Sequence, residues 1–178
     1  MAKRRAILEA ATELLYSEGL RGVTHRNVAA HAGVPVGSIG YYYSNRERLL
    51  ATCFDSIAQA RRELVDRELA AGDVPADPAA LAELVVRVVA GGEIPHVAGL
   101  VTATVDVQHE SPELISELTA HWRSVIASVQ AVLDAAQYTA LTGRQVVRSL
   151  VGVTVYSMLD EDISQSIVAL AEEILRGN

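Results

Sequence analysis

The sequence has too little cysteine and too few long apolar runs for several classes of protein. One cysteine, Cys53, stands among 178 residues, which excludes an intramolecular disulfide and any zinc site built from several cysteines. No apolar run approaches the ~20 residues that a membrane-spanning helix requires. The basic start at residues 3–5 is followed by Glu9 and Glu13, which interrupt what would be the apolar core of a signal peptide. We therefore expect a soluble cytoplasmic protein without a membrane partner.

Aromatic residues are scarce as well, at 4%, whereas hydrophobic residues make up 50% of the chain. The apolar positions recur at helical spacing among alanine, leucine, glutamate and arginine. Valine-rich pieces such as residues 151–155 could be strands, but no hairpin turn separates them and helix caps bracket them. The prediction is an all-α fold of about nine helices, with a three-helix N-terminal head and a helical bundle behind it.

Capping residues place the helices of the head. Thr24 is positioned to cap the second helix, and Gly33 closes it. Pro35 opens the third helix. Ser44 with Glu47 has the pattern of a capping box, which starts a long fourth helix.

The body helices carry similar signals. Ser111 caps one helix, Thr142 begins a second capping box, and Asp162 caps the last helix. The sequence thus divides into a three-helix head at residues 1–46 and a helical body at residues 47–178.

Charge is distributed unevenly between these two parts. The whole chain has a net charge of −7, yet its first 48 residues carry seven basic and four acidic side chains. A basic head on an acidic body suits a protein that approaches nucleic acid with one domain only. Chance also produces such asymmetry, so the charge pattern alone does not identify a partner.

The second and third helices are short and are joined by a turn at residues 32–34. This is the helix-turn-helix pattern, whose second helix can lie in the major groove of DNA. Small residues at positions 36–38 let the backbone come close to base edges and phosphates. The hydroxyls of Ser38, Tyr41 and Tyr42 can contact bases or phosphates. The residues left facing outward are His25, Arg26, Val36, Gly37, Ser38, Tyr41 and Tyr42.

Two further residues of the head have specific expectations. Three consecutive tyrosines on one short helix span about 200°, so they cannot all face one core, and we expect Tyr43 to pack inward. Arg46 lies in the first turn of the fourth helix, where its charge opposes the helix dipole. This placement favours a phosphate as its partner, and an ordinary solvated arginine is the alternative.

Residues 5–50 resemble the DNA-binding domain of the TetR family of transcriptional regulators. The matching residues include Ile7-Leu8-Glu9-Ala10-Ala11, Thr24, Asn27-Val28-Ala29, Ala32-Gly33-Val34, Gly37-Ser38-Ile39, Tyr42-Tyr43 and Arg46-Glu47-Arg48-Leu49. The resemblance implies DNA contacts at Thr24, Arg26, Ser38, Tyr41, Tyr42 and Arg46. Gly40 departs from the family pattern, which usually has tyrosine there, so the bases that are read need not follow those of better-known members.

The resemblance also implies that the body forms a homodimer through its last two helices. A dimer suits an inverted-repeat DNA operator, because a helix-turn-helix dimer reads two half-sites about 34–36 Å apart. The same apolar face could instead close the core of the single chain. The residues of this face are Val146, Val147, Leu150, Val151, Thr154, Met158, Ile163, Ile167, Leu170, Ile174 and Leu175.

The resemblance further implies a small-molecule cavity among the middle helices, and such pockets usually have apolar walls with few polar groups. The candidate residues are Leu84, Val88, His96, Leu100, Val101, Thr104, Val105, His109, His121, Trp122, Ile126, Val129 and Tyr156. The histidines have a simpler alternative as capping, surface or core side chains. The ligand is expected to be small and apolar, and its identity does not follow from the sequence.

The predicted function is a dimeric transcriptional repressor that a small-molecule ligand releases from its operator. The alternative is a constitutive DNA-binding regulator without small-molecule sensing. An enzyme is not expected, because the sequence has no glycine-rich phosphate loop, no nucleophile elbow and no paired-histidine metal motif. No cofactor or metal is expected, since the acidic residues 160–162 are better explained as a polar loop before the last helix.

Overall fold

The chain folds into helices along its length. The computed structural model describes residues 2–72, 74–157 and 163–176, and within these ranges it contains no strand. The same ranges form α1 (Ala2–Gly22), α2 (His25–His31), α3 (Val36–Tyr42), α4 (Arg46–Ala71), α5 (Pro78–Ala90), α6 (His96–Asp106), a 3-10 turn (Val107–His109), α7 (Pro112–Ala135), α8 (Gly143–Ser157) and α9 (Ile163–Arg176). The prediction of an all-α fold with about nine helices is confirmed. No helix in the described part of the chain is long and apolar enough to cross a membrane.

Local hydrogen bonds fix several of the predicted helix starts. The Thr24 side chain accepts a hydrogen bond from the backbone N–H of Asn27 at 3.1 Å, as an N-cap does. Ser111 caps α7 in the same way. Thr142 and Gln145 accept from each other's backbone N–H, which is the reciprocal capping box. These three predictions are confirmed.

The predicted start of α4 is wrong by one residue. Asn45, not Ser44, is the N-cap, and its side-chain oxygen accepts from the backbone N–H of Arg48 at 2.8 Å. Ser44 as the cap would place Asn45 inside the helix, where its amide competes with the backbone for hydrogen bonds. The predicted cap of α9, Asp162, lies outside the described residues.

Two apolar cores run through the molecule. One joins α1, α2 and α3 to the first half of α4, and it also takes in Leu100 of α6 and Leu114 of α7. The other lies among α4, α5, α7, α8 and α9. Helices α1 and α6 are in close contact, since a Cβ added to Gly99 would lie 2.0 Å from the backbone oxygen of Tyr16. The three-helix head therefore packs directly on the body.

The apolar face predicted to join two copies is mostly buried within the single chain. Its buried members are Val146, Val147, Leu150, Thr154, Ile167 and Leu175. Val151, Leu170 and Ile174 are partly buried, while Met158 and the side chain of Ile163 lie outside the described residues. Helix α9 packs on α5 and α8, and α8 packs on α7. The prediction that these buried residues form the dimer interface is wrong, because spacing reveals an apolar side of a helix but not the neighbour that covers it.

Candidate DNA-binding face and sensor body

The helix-turn-helix exposes one side of α3 and anchors the other side in the core. The turn before α3 contains Gly33 with φ 63°, a conformation that glycine adopts without strain. Ile39 and Tyr43 are buried. Tyr41 is 83% exposed and meets the half-buried Tyr42 edge to face, with ring centroids 5.0 Å apart. Tyr43 is buried and Tyr41 is exposed, as predicted, whereas Tyr42 is half-buried and packs against the core of the head.

The exposed side of α3 carries little side-chain bulk except at its tyrosines. Val36 is exposed and Ser38 is half-buried. A Cβ added at Gly37 or Gly40 would meet no atom within 4 Å. A nucleic-acid groove can therefore approach the α3 backbone closely along this side.

The predicted contact residues before α3 differ in their availability. Arg26 is exposed on α2, and His25 is half-buried. The Thr24 hydroxyl already accepts the capping hydrogen bond from Asn27, which leaves it able to donate to a phosphate. Of these residues, Arg26 presents a free cation on the surface of the head.

Arg46 is held by the protein itself. Its Nε donates to the carbonyl of Val23 at 2.8 Å, and its Nη2 donates to the carbonyl of Leu20 at 2.6 Å. Its Nη1 lies 2.7 Å from a carboxylate oxygen of Glu110, and the Arg46 side chain is only 24% exposed. This hydrogen bond is the main reason that the pKa of Glu110 is lowered. The sequence argument that Arg46 needs an anion holds, but in this structure the anion is a carboxylate of the body rather than a phosphate.

A basic segment at the start of α1 was not among the predicted contact residues. Lys3, Arg4 and Arg5 are exposed. The backbone carbonyl of Arg4 accepts from the Tyr43 hydroxyl at 3.5 Å, and the Arg4 guanidinium lies 5.9 Å from the centre of the Tyr43 ring. The segment therefore lies beside the end of α3. The positive charge of the first 48 residues was the available signal for it.

The residues predicted to line a ligand cavity do not enclose one space. Leu84 and Val88 belong to one apolar core and Leu100 to the other. Trp122 and Ile126 are partly buried, and the Trp122 indole N–H donates to Thr104 at 2.8 Å. These side chains fill the two apolar cores. The prediction could not distinguish them from cavity walls, because helical spacing marks core positions and cavity walls alike.

The other predicted cavity residues include clear errors. Tyr156 is 76% exposed, and Val105 and His109 are on the surface as well. Tyr156 is therefore wrong as a wall of an internal cavity, because it lies on the side of α8 that faces away from α7 and α9. His96 is half-buried and stacks on Tyr16, with ring centroids 3.7 Å apart.

The described residues form clefts at other places. One of about 790 Å³ lies between α4 and α5 and includes residues 91–95 and Ser164. A smaller one of about 180 Å³ lies between α4 and α7 and includes Phe54, His121 and Ser124. The second cleft is the one that reaches polar groups inside the body.

Arg61 is the most unusual of these internal groups. It lies on α4 and is 0% exposed. Its Nη2 donates a long hydrogen bond of 3.4 Å to the Ser124 hydroxyl, and its Nε and Nη1 have no partner among the described residues. The sequence contained a signal for it, since position 61 follows Phe54 and Ile57 on the apolar stripe of α4.

Comparison with known proteins begins with the head. The family model described as bacterial regulatory proteins, tetR family, matches residues 7–53. The HTH-type transcriptional regulator PksA of Bacillus subtilis (strain 168) is 35% identical over 49 residues, which are 28% of this chain and 24% of that protein. The alignment therefore spans about a quarter of the length of this curated relative.

Solved structures match over almost the whole chain. The match to a TetR family transcriptional regulator from Agrobacterium tumefaciens spans 99% of this chain and 97% of that protein, with 17% identity and a TM-score of 0.72. The multidrug binding protein EbrR complexed with proflavin matches with 24% identity over 98% of both chains and a TM-score of 0.62. At these identities the structures establish the shared fold, while the family model and PksA establish the shared head. Residues 7–53 therefore match the TetR family of bacterial regulatory proteins, and the described fold is shared with solved structures of regulators from that family.

Proposed function

We propose that this protein is a dimeric transcriptional repressor that leaves its operator when a small molecule binds the body. Residues 1–46 act as the DNA-binding domain, and residues 47–178 act as the sensing and dimerisation domain. The observation that carries the proposal is the exposed side of α3, where Tyr41 projects into solvent while Ile39 and Tyr43 anchor the helix in the core.

The DNA contacts follow from this arrangement. Helix α3 enters the major groove with Val36, Gly37 and Ser38 at its N-terminal end, and Tyr41 and Tyr42 contact base edges or thymine methyl groups. Arg26 and the basic segment at residues 3–5 contact phosphates. Arg46 makes no direct phosphate contact in this arrangement, because its N–H groups are taken by the protein.

A second copy pairs with this chain through the outer face of α8 rather than through the buried face. Val155 is 47% exposed and Tyr156 is exposed beside it. A Cβ at Gly152 would meet nothing within 4 Å, so another helix can approach there. This apolar strip is continuous with the partly buried Val151, and it offers a self-complementary surface of the kind that two-fold dimers use.

Small-molecule sensing is supported by the likeness of the fold to EbrR, which is described as a multidrug binding protein in complexes with imidazole, proflavin and ethidium. One polar link between body and head is Arg46, which binds Glu110 before α7 and the carbonyls of Leu20 in α1 and Val23 just after it. A ligand that favours one position of Glu110 relative to α4 thereby favours one position of the head.

A constitutive regulator is the second candidate. The observation that favours it is the dense packing of the predicted cavity walls, with Leu84 and Leu100 in two different apolar cores. A body without an internal cavity would serve dimerisation alone.

The two candidates differ in the response of the protein–DNA complex to ligands. Genomic fragments retained by the purified protein provide a binding site, and a thermal-shift screen of small molecules without DNA provides candidate ligands. The proposal expects that compounds which stabilise the protein also weaken its affinity for the fragment by roughly tenfold or more, within the usual range of coupling between sites. Compounds that bind without changing DNA affinity would favour the constitutive regulator.

A further inference from the structure

Within the described ranges of the chain, the body contains a buried cation, Arg61, with no carboxylate bound to it. The Arg61 side chain is fully buried in α4, and two of its three nitrogens have no hydrogen-bond partner among residues 2–72, 74–157 and 163–176. Burial lowers the pKa of Arg61 to about 10, so the guanidinium still carries its charge at neutral pH. An isolated buried ion is costly, and such charges are normally paired. Arg61 is therefore positioned to receive an anion from outside the chain.

His121 is a second buried polar group on the facing helix α7. It is 4% exposed, and neither of its ring nitrogens has a hydrogen-bond partner in the described part of the chain. Burial lowers its pKa to about 3, so the imidazole is neutral and offers one donor and one acceptor. Its ring lies 5.3 Å from that of Phe54 and 5.8 Å from that of Trp122, measured between centroids. The polar nitrogens of His121 are thus set among aromatic surfaces.

A cleft open to solvent reaches His121 and stops at Ser124, short of Arg61. The cleft of about 180 Å³ between α4 and α7 is lined by Phe54, His121 and Ser124. Ser124 is also the residue whose hydroxyl accepts the long hydrogen bond from Arg61. The cleft therefore ends one side chain away from the unpaired guanidinium.

The dimensions and charges of the cleft restrict the ligand. Its volume is below the 300–1,000 Å³ of sites for drug-sized ligands, so the occupant is small. The cleft is lined by the cation Arg62 as well as by Asp55 and Glu117. The carboxylates outnumber this cation and disfavour a dianion such as a phosphate monoester, whereas the Arg61 guanidinium balances one negative charge. The aromatic lining suits an apolar body. These constraints together favour a small apolar monocarboxylic acid.

We propose that the body binds such an acid, with its carboxylate on the free Nε and Nη1 groups of Arg61 and its apolar part against Phe54 and His121. The side-by-side N–H groups of a guanidinium match the two oxygens of a carboxylate. This inference rests on the proposed ligand-responsive function and specifies the chemical class of its ligand.

Calorimetric titration of the full chain at pH 7 tests the site, with benzoate and hexanoate as probes and benzamide and hexanamide as neutral isosteres. The acids are expected to bind at least roughly tenfold more tightly than their amides, which is the lower end for a hydrogen bond to a charged group. Arg61→Met is expected to remove this preference. The matched control Arg67→Met replaces an exposed arginine of the same helix and is expected to keep it.

The proposal is overturned if the wild-type protein does not distinguish the acids from their amides, a comparison that requires no variant to fold. A second comparison replaces Asp160, Glu161 and Asp162, which lie outside the described residues, by their amides. The proposal is also overturned if these substitutions lower the unfolding free energy of the wild-type protein but not that of Arg61→Met. In that case the counter-charge would come from the chain itself.

These titrations, combined with the measurements of DNA affinity described above, separate this inference from the proposed function. Neutral compounds that release DNA, together with no binding of the acids, would overturn the acid site and leave the ligand-responsive repressor intact. Acids that bind through Arg61 but leave DNA affinity unchanged would establish the site and contradict ligand-controlled release.

Discussion

Arg46 connects head and body through a single side chain, and its removal leaves several groups without partners. Arg46→Ala exposes the carbonyls of Leu20 and Val23 and leaves the Glu110 carboxylate unpaired. We expect unfolding free energy to fall by about 1–3 kcal/mol in urea titrations, the usual cost of unsatisfied partly buried groups. The control Arg48→Ala removes an exposed arginine of the same helical turn, and it is expected to change the unfolding free energy by less than about 0.5 kcal/mol. Equal effects of the two variants would contradict the account of Arg46.

His121 gives the body a specific pH dependence. Because burial lowers its pKa from 6.5 to about 3, the unfolded chain binds a proton between these values that the folded chain does not. Stability is then complete above pH 6.5 and decreases as the pH falls toward 3. The wild-type slope between pH 4 and 6 is expected to exceed that of His121→Phe by up to about 1.4 kcal/mol per pH unit. Parallel curves from urea titrations would show that His121 titrates normally.

Tyr42 lies half-buried beside the exposed Tyr41, and its loss should affect DNA recognition more than it affects the fold. Tyr42→Ala is expected to weaken binding to the specific site by about 1–3 kcal/mol, the scale of one base contact, and to change nonspecific binding much less. Val105→Ala, which truncates an exposed side chain on α6, serves as the control. Fluorescence anisotropy with specific and scrambled duplexes measures the specific and the nonspecific affinity. Unchanged specific affinity would remove Tyr42 from the recognition surface.

At the scale of elements, glycine positions distinguish open surfaces from close contacts. Gly40→Ala should raise unfolding free energy by about 0.5–1 kcal/mol, because it favours the helix and meets no atom within 4 Å. Gly99→Ala should lower it, because its Cβ would lie 2.0 Å from the Tyr16 backbone oxygen and force α1 away from α6. Thermal and urea unfolding of both variants measure these opposite signs. A loss of stability in Gly40→Ala would contradict the open surface of α3.

The helices and their starts could largely be predicted because they depend on neighbouring residues. Thr24, Ser111 and Thr142 cap their helices as local chemistry requires. Ser44 and Asn45 are adjacent and both make good N-caps, and the capping-box pattern favoured Ser44 although Asn45 is the observed cap. Local signals are therefore sufficient for the elements but ambiguous where two candidates compete.

The positions of the interior groups could not be predicted in the same way. An apolar stripe on α8 does not reveal whether α7 or a second copy covers it, so Val147 and Leu150 were assigned to the wrong partner. Arg61 could have been noticed as a cation on the apolar stripe of α4. Which groups surround it could not be predicted, because they come from residues far away in sequence, such as Ser124. Tertiary packing decides both cases.

At the scale of the whole molecule, the head and the body share one of the two cores. Leu100 and Leu114 of the body pack with the head helices, and Arg46 binds Glu110 across the same boundary. Under the proposed ligand-responsive function, these shared contacts are the route by which a shift of α6 or α7 would reach the head. The charge difference between the two parts then orients the head toward DNA and the body away from it.

Selection from a randomised duplex pool at physiological salt examines whether α3 is the recognition helix of a symmetric dimer. The wild-type protein is expected to enrich an inverted repeat, with half-site centres about 34–36 Å or a multiple apart. The variant Tyr41→Ala with Tyr42→Ala should lose or alter the selected half-site. No enrichment, a single half-site without symmetry, or the same repeat selected by the double variant would show that α3 does not recognise DNA in this way.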